Sequence, residues 1–460
     1  MTQQLIFTAH QNQAFEQFLV FLRAKENRKV WVLTGFAGTG KSTLIAHIVK
    51  QMQQEKLSFK LLAPTGRAAK VLSNYAGFPA STIHRHIYFS GGEWSTQGLT
   101  LAKNLHKHTL FFVDESSMLA ASSPYEANNV LEDLLNYVYG GDNCHLIFIG
   151  DPGQLPPVGQ DHSIALNPKK LVEAFPTLFV WHSHLTQVVR VNENSGILSV
   201  ATFLRQKEAF TLPLLPRLEG LSDTSVCQIH GGEFQECLEQ SISEVGTDET
   251  ILLTLANKRA NQWNLEIRNR LFYREEVLEK GDLLMVVKNN YFWLDPASKM
   301  GFIANGELAR IERVRKFEAY YGFEFAQLDL KFVDYPDQGS ISCVAHIQSL
   351  LEEGPSISRD VLRKLFYAIE AEHLDIKNKQ KRYQQVLKNP YFNALQIKYA
   401  HAVTVHKAQG GQWAHVYVDY GFVPEERKNS AYLRWLYTAL TRASEKLYLL
   451  NFPEDFFETT

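Results

Sequence analysis

Short apolar runs alternate with helix-favouring segments through the first third of the 460-residue chain. Each run has the composition of a strand that is buried on both faces of a sheet. Strands that alternate with helices in this way build a parallel sheet, so the pattern predicts a doubly wound α/β domain. The four predicted strands cover residues 30–34, 59–63, 110–113 and 144–149.

The second half of the chain repeats this pattern less regularly and is interrupted in its middle. Apolar runs at 250–254, 416–419 and 446–450 predict three strands of a second α/β domain. Between about residues 281 and 347 apolar and polar residues alternate in short runs, which predicts a small antiparallel barrel inserted into that domain. The charged stretch 358–388 carries an apolar stripe and favours helix, so we expect a helical extension of the barrel.

A different element is predicted between the second and third strands of the first domain. Gly91-Gly92 separates two short runs with aromatic residues, which is a strong signal for a tight hairpin. We therefore expect an inserted hairpin over about residues 86–106, with Phe89 and Trp94 near its tip. These rings either stack on nucleic-acid bases or pack against their own domain, and the sequence leaves both readings open.

The clearest chemical signal is the segment GFAGTGKST at residues 35–43, which satisfies the phosphate-binding pattern G-x-x-x-x-G-K-[ST]. It lies between the first predicted strand and a helix, the context in which backbone N–H groups wrap phosphates at a helix N-terminus. We expect Lys41 to reach the β- and γ-phosphates of ATP and the Ser42 hydroxyl to hold Mg²⁺. The residues expected to line the nucleotide are Gly35, Ala37, Gly38, Thr39, Gly40, Lys41, Ser42 and Thr43.

Polar residues at other strand ends are placed to complete this site. Asp114 and Glu115 follow the third predicted strand, where Asp114 is expected to bind Mg²⁺ and Glu115 to activate the attacking water. Gln154 follows the fourth strand in a rigid loop rich in Pro and Gly, and its amide can sense the γ-phosphate. Gln11, in the first turn of a helix that Thr8 caps, can pair with an adenine edge or face solvent.

Composition restricts the remaining choices. The length predicts about two to four domains, and a net charge of −2 confines any nucleic-acid contact to a local groove. The four cysteines lack C-x-x-C spacing, which argues against a zinc site or a disulfide framework. The chain has neither a signal-like N-terminus nor an apolar run of bilayer length, so we expect a cytoplasmic protein without membrane contact.

Taken in order, the short motifs resemble those of superfamily-one helicases over nearly the whole chain. The matching segments are Gln11, 35–43, PTGRAA at 64–69, TIHR at 82–85, DESSM at 114–118, GDPGQLPP at 150–157, 185–190, 402–410 and 437–443. TIHR, DESSM and TVHKAQG (404–410) are most similar to the RecD-like and Dda-like class, which moves 5′-to-3′ on single-stranded DNA. Several motifs in the right order are far more specific than any one of them.

The resemblance implies an α/β fold of two RecA-like P-loop domains with two insertions. Residues 1–184 would form the first, ATP-binding domain, which also carries the hairpin as a strand-separating pin. Residues 185–284 and 396–460 would form the second domain. An SH3-like barrel would occupy 285–395, with its helical extension at about 356–390.

The resemblance also implies the roles of individual residues. Arg190 and Arg442 of the second domain would meet the γ-phosphate of ATP held by the first domain. Val189 stands where many relatives carry an aromatic residue and Gln412 where glutamate is frequent, so adenine stacking and any ribose contact stay unassigned. Besides Phe89 and Trp94 in the pin, the residues implied to contact DNA are Pro64, Thr65, Arg67, Thr82, His84, Thr404, His406 and Lys407.

The expected function is that of an ATP-dependent 5′-to-3′ DNA helicase that uses ATP and Mg²⁺. Its expected substrates are single-stranded DNA and tailed duplex DNA, and we expect a monomer whose partners can include replication or repair proteins. Two alternatives stay open from the sequence. One is a superfamily-one helicase that acts on RNA, and the other is a nucleic-acid-binding module that ATP switches without unwinding.

Overall fold

The computed structural model contains two parallel β-sheets and one closed β-barrel. The described residues are 7–88, 100–120, 129–189, 196–208, 225–295, 298 and 300–456. Two α/β domains with an inserted barrel are therefore present, and the predicted fold class is confirmed. Within these ranges, no helix has the length and apolar character needed to cross a membrane.

A six-stranded parallel sheet forms the first domain. Its strands are β1 (Lys29–Gly35), β2 (Ser58–Ala63), β3 (Ala80–Thr82), β4 (Thr109–Val113), β5 (His145–Gly150) and β6 (Phe179–Leu185). Its helices are α1 (Ala9–Arg23), α2 (Lys41–Gln54), α3 (Gly66–Ala76), α4 (Ile83–Ile87), α5 (Val130–Tyr139) and α6 (Pro168–Ala174). The strand order is β3-β2-β4-β5-β1-β6, so the two strands that the apolar pattern missed, β3 and β6, are the edges of the sheet.

The central strand β1 separates two apolar cores. Val30 and Val32 face the side covered by α5 and α6, whereas Trp31 and Leu33 face α1 and α2. Burial on both faces explains why β1 is a continuous apolar run, as expected for a covered parallel sheet. The loops that follow β1, β4 and β5 consequently emerge together at the carboxyl edge of the sheet, where ligands bind in open α/β folds.

The rest of the chain forms a second parallel sheet and the barrel. The strands are β7 (Val226–Ile229), β8 (Thr250–Thr254), β9 (Leu283–Val286), β10 (Leu308–Tyr320), β11 (Phe323–Phe332), β12 (Ile341–His346), β13 (Leu395–Tyr399), β14 (Ala402–Thr404), β15 (Trp413–Asp419) and β16 (Ala443–Leu450). The helices are α7 (Gly196–Glu208), α8 (Phe234–Val245), α9 (Asn257–Glu266), α10 (Arg359–Ala371), α11 (Lys379–Lys388), α12 (Val405–Ala408) and α13 (Ser430–Leu440). The second sheet has the order β14-β8-β15-β16-β7, and its three predicted strands are all present.

The barrel closes in the order β10-β11-β12-β13-β9. The strands of the stretch predicted to be antiparallel, β9 to β12, pair in that way, so the prediction is confirmed there. Strand β13 follows the helical extension and pairs with β12 in parallel. The expected helical extension consists of two helices, α10 and α11, which pack on the barrel through Leu365, Ile369 and Val386. The barrel strands begin at Leu283 and end at Tyr399, slightly outside the range 285–395 expected from the sequence.

The barrel also contacts the first domain at the N-terminus of α3. The Glu307 carboxyl group lies against Gly66, where a Cβ atom would clash with it. Beside this contact, Lys70 of α3 and Asp334 of the barrel form an ion pair of 3.0 Å. Burial, reinforced by the nearby Asp334, raises the pKa of Glu307 to about 8, and the Tyr335 hydroxyl donates to its Oε1 at 3.4 Å.

We predict that this buried carboxyl group makes the stability of the protein depend on pH. Between its ordinary pKa of 4.5 and about 8, the folded protein holds a proton on Glu307 that the unfolded chain releases. Stability should therefore fall as pH rises through this window, by up to about 1.4 kcal/mol per pH unit. Glu307→Gln removes this pH dependence. The urea midpoint of the variant minus that of wild type should therefore be larger at pH 8.5 than at pH 6.

Glu324→Gln is the matched control, since Glu324 is an exposed glutamate on the same barrel. Its midpoint should differ from wild type by the same amount at both pH values. A Glu307→Gln variant that behaves like this control would contradict the prediction.

Candidate nucleotide and nucleic-acid site

The loop between β1 and α2 has the backbone of a phosphate-binding loop. Gly38 and Gly40 adopt left-handed φ angles of 74° and 77°, which side chains other than glycine rarely tolerate. The loop curls around the Lys41 ammonium, which donates to the carbonyl oxygens of Gly35 at 2.7 Å and Phe36 at 3.0 Å. No side chain caps the N-terminus of α2 among the described residues, so its first N–H groups suit an anion.

Two oxygen ligands of the kind that Mg²⁺ prefers converge beside this loop. The Tyr75 phenol donates to the Asp114 carboxylate and also hydrogen-bonds to the Ser42 hydroxyl. The Ser42 hydroxyl and the Asp114 carboxylate therefore both lie within hydrogen-bonding distance of the Tyr75 phenol oxygen. This closeness is what binding of one Mg²⁺ ion by the two residues requires. Burial raises the pKa of Asp114, and Tyr75 itself was not anticipated because nothing in its local sequence points to the site.

Arg442 of the second domain reaches Glu115 of the first domain. Its Nη1 lies 3.8 Å from Glu115 Oε1, and the guanidinium also donates to the carbonyl oxygens of Thr438 and Gly411. Arg442 is only 3% exposed, so its charge lies in a shielded cleft. The structure thus brings together two residues that the motifs had assigned to opposite sides of one nucleotide.

Glu115 is held in an unusual local geometry. Its backbone φ is +50°, a left-handed value that costs a residue with a side chain about 1–3 kcal/mol. Burial is the main cause that raises its pKa, the Asp114 carboxylate adds to the effect, and Arg442 opposes it. Its Oε2 accepts no hydrogen bond from the described part of the chain. This strained, partly desolvated carboxylate has the properties of a general base.

A tyrosine of α13 joins the P-loop to the loop after β5. The Tyr437 hydroxyl donates to Asp151 Oδ2 at 2.6 Å and accepts from the backbone N–H of Ala37 at 2.8 Å. The neighbouring Thr438 hydroxyl accepts from the N–H of Leu155 at 2.9 Å. Sequence reasoning did not assign Tyr437, whose partners lie 286 and 400 residues away along the chain.

Phe36, which the P-loop pattern leaves unspecified, supports a second contact between domains. The Arg205 guanidinium of α7 lies 4.5 Å from the centre of its ring, and the His184 ring is nearly perpendicular to it with the two ring centres 5.3 Å apart. A cation over an aromatic face is attracted by the ring quadrupole. Helix α7 packs in the same apolar cluster as α13, so both helices of the second domain contact the P-loop.

Gln11 lies beside the P-loop, as the resemblance implied. Its Oε1 accepts from the Thr8 N–H at 2.9 Å in a capping box, and its Nε2 donates to the Gly40 carbonyl at 3.1 Å. Both ends of the amide are therefore bonded within the protein in this structure. The Val189 N–H donates to the Gly38 carbonyl at 2.8 Å, whereas the neighbouring Arg190 is outside the described residues.

The two loops implied to contact DNA touch one another. Arg67 donates to the Gln412 carbonyl at 2.6 Å and lies 4.0 Å above the ring of Trp413. Gly410 approaches so closely that a Cβ atom there would lie 2.8 Å from the Cβ of Ala68. The PTGRAA segment of the first domain and the segment that follows α12 in the second domain therefore form one continuous surface.

The other residues implied to contact DNA are capping or partly to fully buried residues. The Thr65 and Thr82 hydroxyls cap α3 and α4, and Thr82 is buried, as is Thr404. Burial lowers the pKa of Lys407 to about 7, with Lys398 adding to the effect. The remaining positions are Pro64, which is half-buried, and His84 and His406, whose pKa values burial lowers.

Phe89 and Trp94, at the expected tip of the hairpin, are outside the described residues. Tyr88 and Leu101 form an isolated antiparallel bridge at the expected base of that hairpin. Ile87, predicted to belong to a hairpin strand, instead ends helix α4, because Thr82 caps a helix at this point.

Comparisons with known proteins agree with the resemblance that the motifs indicate. Residues 7–212 match the model of an AAA domain, and residues 399–450 match that of the UvrD-like helicase C-terminal domain. The ATP-dependent RecD2 DNA helicase of Deinococcus radiodurans is 34% identical over 178 residues, which are 39% of this chain and 22% of that protein. The ATP-dependent DNA helicase dda of Enterobacteria phage T4 is 26% identical over 316 residues, covering 66% of this chain and 67% of that protein.

Among solved structures, the Pif1 helicase from Bacteroides in complex with ADP-AlF3 and ssDNA is similar to the chain. The TM-score is 0.46 at 15% identity, with 99% of this chain and 95% of that chain covered.

The two family models fall on the segments that build the site. The first model contains the P-loop, the acid pair and the Gln154 loop, and the second contains the 404–413 segment and Arg442. The two matches follow the order of the motifs along the chain. They also contain the two residues that face each other in the cleft, Glu115 and Arg442. Together these findings support a superfamily-one helicase of the RecD-like and Dda-like type.

Proposed function

We propose that this chain, an ATP-hydrolysing DNA helicase by its family, moves 5′-to-3′ along single-stranded DNA and unwinds duplex DNA ahead of it. The observation that carries the proposal is the buried Arg442 of one domain facing Glu115 of the other beside the P-loop. A site divided between two domains changes when they move relative to each other, so hydrolysis can be coupled to motion.

The hydrolysis site follows from the chemistry of its residues. Lys41 would neutralise the β- and γ-phosphates, and Glu115 would accept a proton from the attacking water. Arg442 would stabilise the negative charge that develops on the γ-phosphoryl group, in a cleft where shielding from water strengthens its effect. Ser42 and Asp114 would hold Mg²⁺, which when bound would neutralise further phosphate charge.

Coupling to DNA would use the contacts between the domains. Tyr437 connects α13 to the P-loop and to Asp151. A change in the position of the P-loop at the phosphates would therefore displace α13 of the second domain. On the DNA side, Arg67 bonds to Gln412, and separation of the domains would break that contact. Alternate tightening and release of the two DNA-contacting segments would move the chain along a strand.

The direction of movement and the choice of DNA rest on the motifs. TIHR at 82–85 and TVHKAQG at 404–410 support the 5′-to-3′ class through their resemblance to RecD-like and Dda-like proteins. The names of the RecD2 and dda relatives support DNA as the substrate. An RNA-acting relative and an ATP-switched binding module are the alternatives that an experiment has to separate.

We predict unwinding of a duplex with a 5′ single-stranded tail and none of a duplex with only a 3′ tail. Strand separation would be followed by fluorescence of a labelled strand, with Mg²⁺ and ATP present. Lys41→Ala should abolish both unwinding and DNA-stimulated ATP hydrolysis, because the P-loop loses its cation. Preference for the 3′ tail would refute the direction, and stronger stimulation of hydrolysis by single-stranded RNA would favour the RNA-acting alternative. ATP binding without turnover on any strand would favour the ATP-switched module.

We also predict that Tyr437 positions the P-loop for turnover. Tyr437→Phe keeps the ring but removes the acceptor of the half-buried Ala37 N–H and the Tyr437 donor to Asp151 Oδ2. A loss of this kind costs about 1–3 kcal/mol, so DNA-stimulated kcat should fall about tenfold or more, with a smaller change in KM for ATP.

Tyr432→Phe provides a control on the same helix. Tyr432 is also buried, and its hydroxyl makes no hydrogen bond to any residue that the structure describes. Its kcat should stay within about twofold of wild type. An equal loss of kcat in the two variants would contradict the prediction, because it would show that removal of either buried hydroxyl from α13 has the same effect.

A further inference from the structure

Helix α7 of the second domain lies along the P-loop and contacts it at two points. The Arg205 guanidinium lies 4.5 Å from the centre of the Phe36 ring, and a Cβ atom at Gly38 would lie only 3.1 Å from Leu198 Cδ2. Leu198 and Arg205 are about two helical turns apart, so they belong to one face of the helix. That face therefore covers the P-loop from Phe36 to Gly38.

The other face of α7 fixes the helix to the second domain. Ile197, Val200 and Leu204 are buried in the apolar cluster that also contains side chains of α13. Withdrawing buried apolar side chains from a core is costly, so α7 moves with its own domain. The contact between Arg205 and Phe36 therefore depends on how the second domain lies against the first.

Phe36 is bonded to the rest of the P-loop through its backbone. Its carbonyl oxygen accepts from the Lys41 ammonium at 3.0 Å, from the Thr39 hydroxyl at 2.8 Å and from the Thr39 N–H at 3.3 Å. A displacement of the Phe36 main chain would therefore alter the shape of the turn from which Lys41 is expected to reach the β- and γ-phosphates.

The Phe36 ring lies between groups of both domains. On one side is the His184 ring of β6, described above. A Cβ atom at Gly153 would lie 3.3 Å from Phe36 Cδ1 and 3.2 Å from Tyr437 Cε1, so both rings lie over this glycine of the loop after β5. Arg205 adds a contact from α7. The position of the ring is therefore set jointly by the two domains.

Arg205 has an aromatic partner in place of an acidic one. Its side chain is half-buried, and its guanidinium forms neither an ion pair nor a hydrogen bond with any residue that the structure describes. A half-buried cation without an acid partner needs another attraction, and the negative face of an aromatic ring supplies one. The Phe36 ring thus takes the place of a counter-ion for this charge.

The charge of Arg205 lies close to the expected triphosphate. Burial is the main cause that lowers the pKa of His184, and Arg205 and Lys41 both add to the effect. The two cations are therefore near enough to act on one side chain. Burial raises the pKa of Tyr437, the residue that bonds to the P-loop, and Arg205 opposes that effect.

We propose that Arg205 is a positioning residue for ATP hydrolysis, which holds Phe36 and thereby the shape of the P-loop when the second domain closes on the first. The role rests on the proposed hydrolysis. Arg205 acts through the aromatic ring and not on the phosphates themselves, which distinguishes it from Arg442. Its loss should therefore slow turnover and not abolish it.

The first test measures ATP hydrolysis stimulated by single-stranded DNA. Arg205→Ala should lower kcat about three- to tenfold, the size of one partly desolvated contact between a cation and a ring. KM for ATP should change less than about twofold, because Lys41 and the N-terminus of α2 still bind the phosphates. Arg205→Lys should lie between wild type and Arg205→Ala, since an ammonium group is attracted by the ring but cannot stack on it.

Arg28→Ala is the matched control. The Arg28 guanidinium lies 5.4 Å from the centre of the Tyr139 ring, next to the end of β1 that is remote from the P-loop. The variant loses the same kind of contact elsewhere in the first domain, so its kcat should stay within about twofold of wild type.

A double-mutant cycle tests whether Arg205 acts through the ring. Phe36→Leu removes the ring, so adding Arg205→Ala to it should lower kcat by less than about twofold further, whereas Phe36→Tyr keeps the ring and should preserve the effect of Arg205→Ala. Losses that multiply in the double variant would overturn the proposal. A loss of about a hundredfold or more that persists without the ring would also overturn it, because the guanidinium would then act on phosphate directly.

A spectroscopic measurement follows the contact independently of turnover. 4-Fluorophenylalanine at position 36 reports the surroundings of the ring by fluorine NMR, with single-stranded DNA and a non-hydrolysable ATP analogue bound. Arg205→Ala should shift the resonance and Arg28→Ala should leave it in place. An unchanged resonance in Arg205→Ala would show that the bound state lacks the contact and would overturn the proposal.

The outcomes for wild type separate this proposal from the proposed function. A wild-type chain that hydrolyses no ATP on single-stranded DNA would refute the proposed hydrolysis, and the positioning role would fall with it. A wild-type chain that turns over, together with an Arg205→Ala variant of the same kcat, would refute the positioning role alone.

Discussion

One buried arginine determines how the two halves of this protein work together. Arg442 belongs to the second domain by chain and by packing, yet its charge lies beside Glu115 of the first domain. A charge so shielded is costly unless it is paired and hydrogen-bonded, and here carbonyl oxygens of Thr438 and Gly411 share the guanidinium with the carboxylate. The Glu115 contact is a loose ion pair of 3.8 Å, so the two carbonyl oxygens are the closer partners of the guanidinium.

The helix that precedes Arg442 links the same cleft to two loops of the first domain. Along α13, Tyr437 bonds to the P-loop and to Asp151, and Thr438 bonds to the loop that carries Gln154. All of these bonds join a helix of one domain to loops of the other that are expected to contact phosphate. Movement of α13 would therefore alter several parts of the proposed nucleotide site together, as the proposed coupling of hydrolysis to motion requires.

The segments implied to contact DNA, and the barrel, provide further contacts between the first and second domains. The same segment of the first domain that holds Arg67 against Gln412 also places Gly66 against Glu307 of the barrel. Since the barrel is inserted into the second domain, the first domain touches the second domain both directly and through its insert. The small residue at Gly66 is explained by this contact, because any Cβ would displace the carboxyl group.

Some features of this protein are encoded by residues that are neighbours in the chain. The P-loop was evident because its glycines, Lys41 and Ser42 are consecutive, and the helix after Thr8 was evident because a capping box spans one turn. The covered strands β1 and β8 were equally clear from their apolar runs, whereas the edge strands β3 and β6 were missed, since partial exposure weakens that signal.

Which side chains meet in the cleft depends instead on how the elements pack. Tyr75, Tyr437 and Glu307 look like ordinary core or surface residues in the sequence, and each acquires its role from a partner contributed by another element or domain. The parallel closure of the barrel through β13 is of the same kind. A hydroxyl or carboxyl group carries no local sign of what lies opposite it, because hydrogen bonding and burial depend on atoms that only folding brings within a few ångströms.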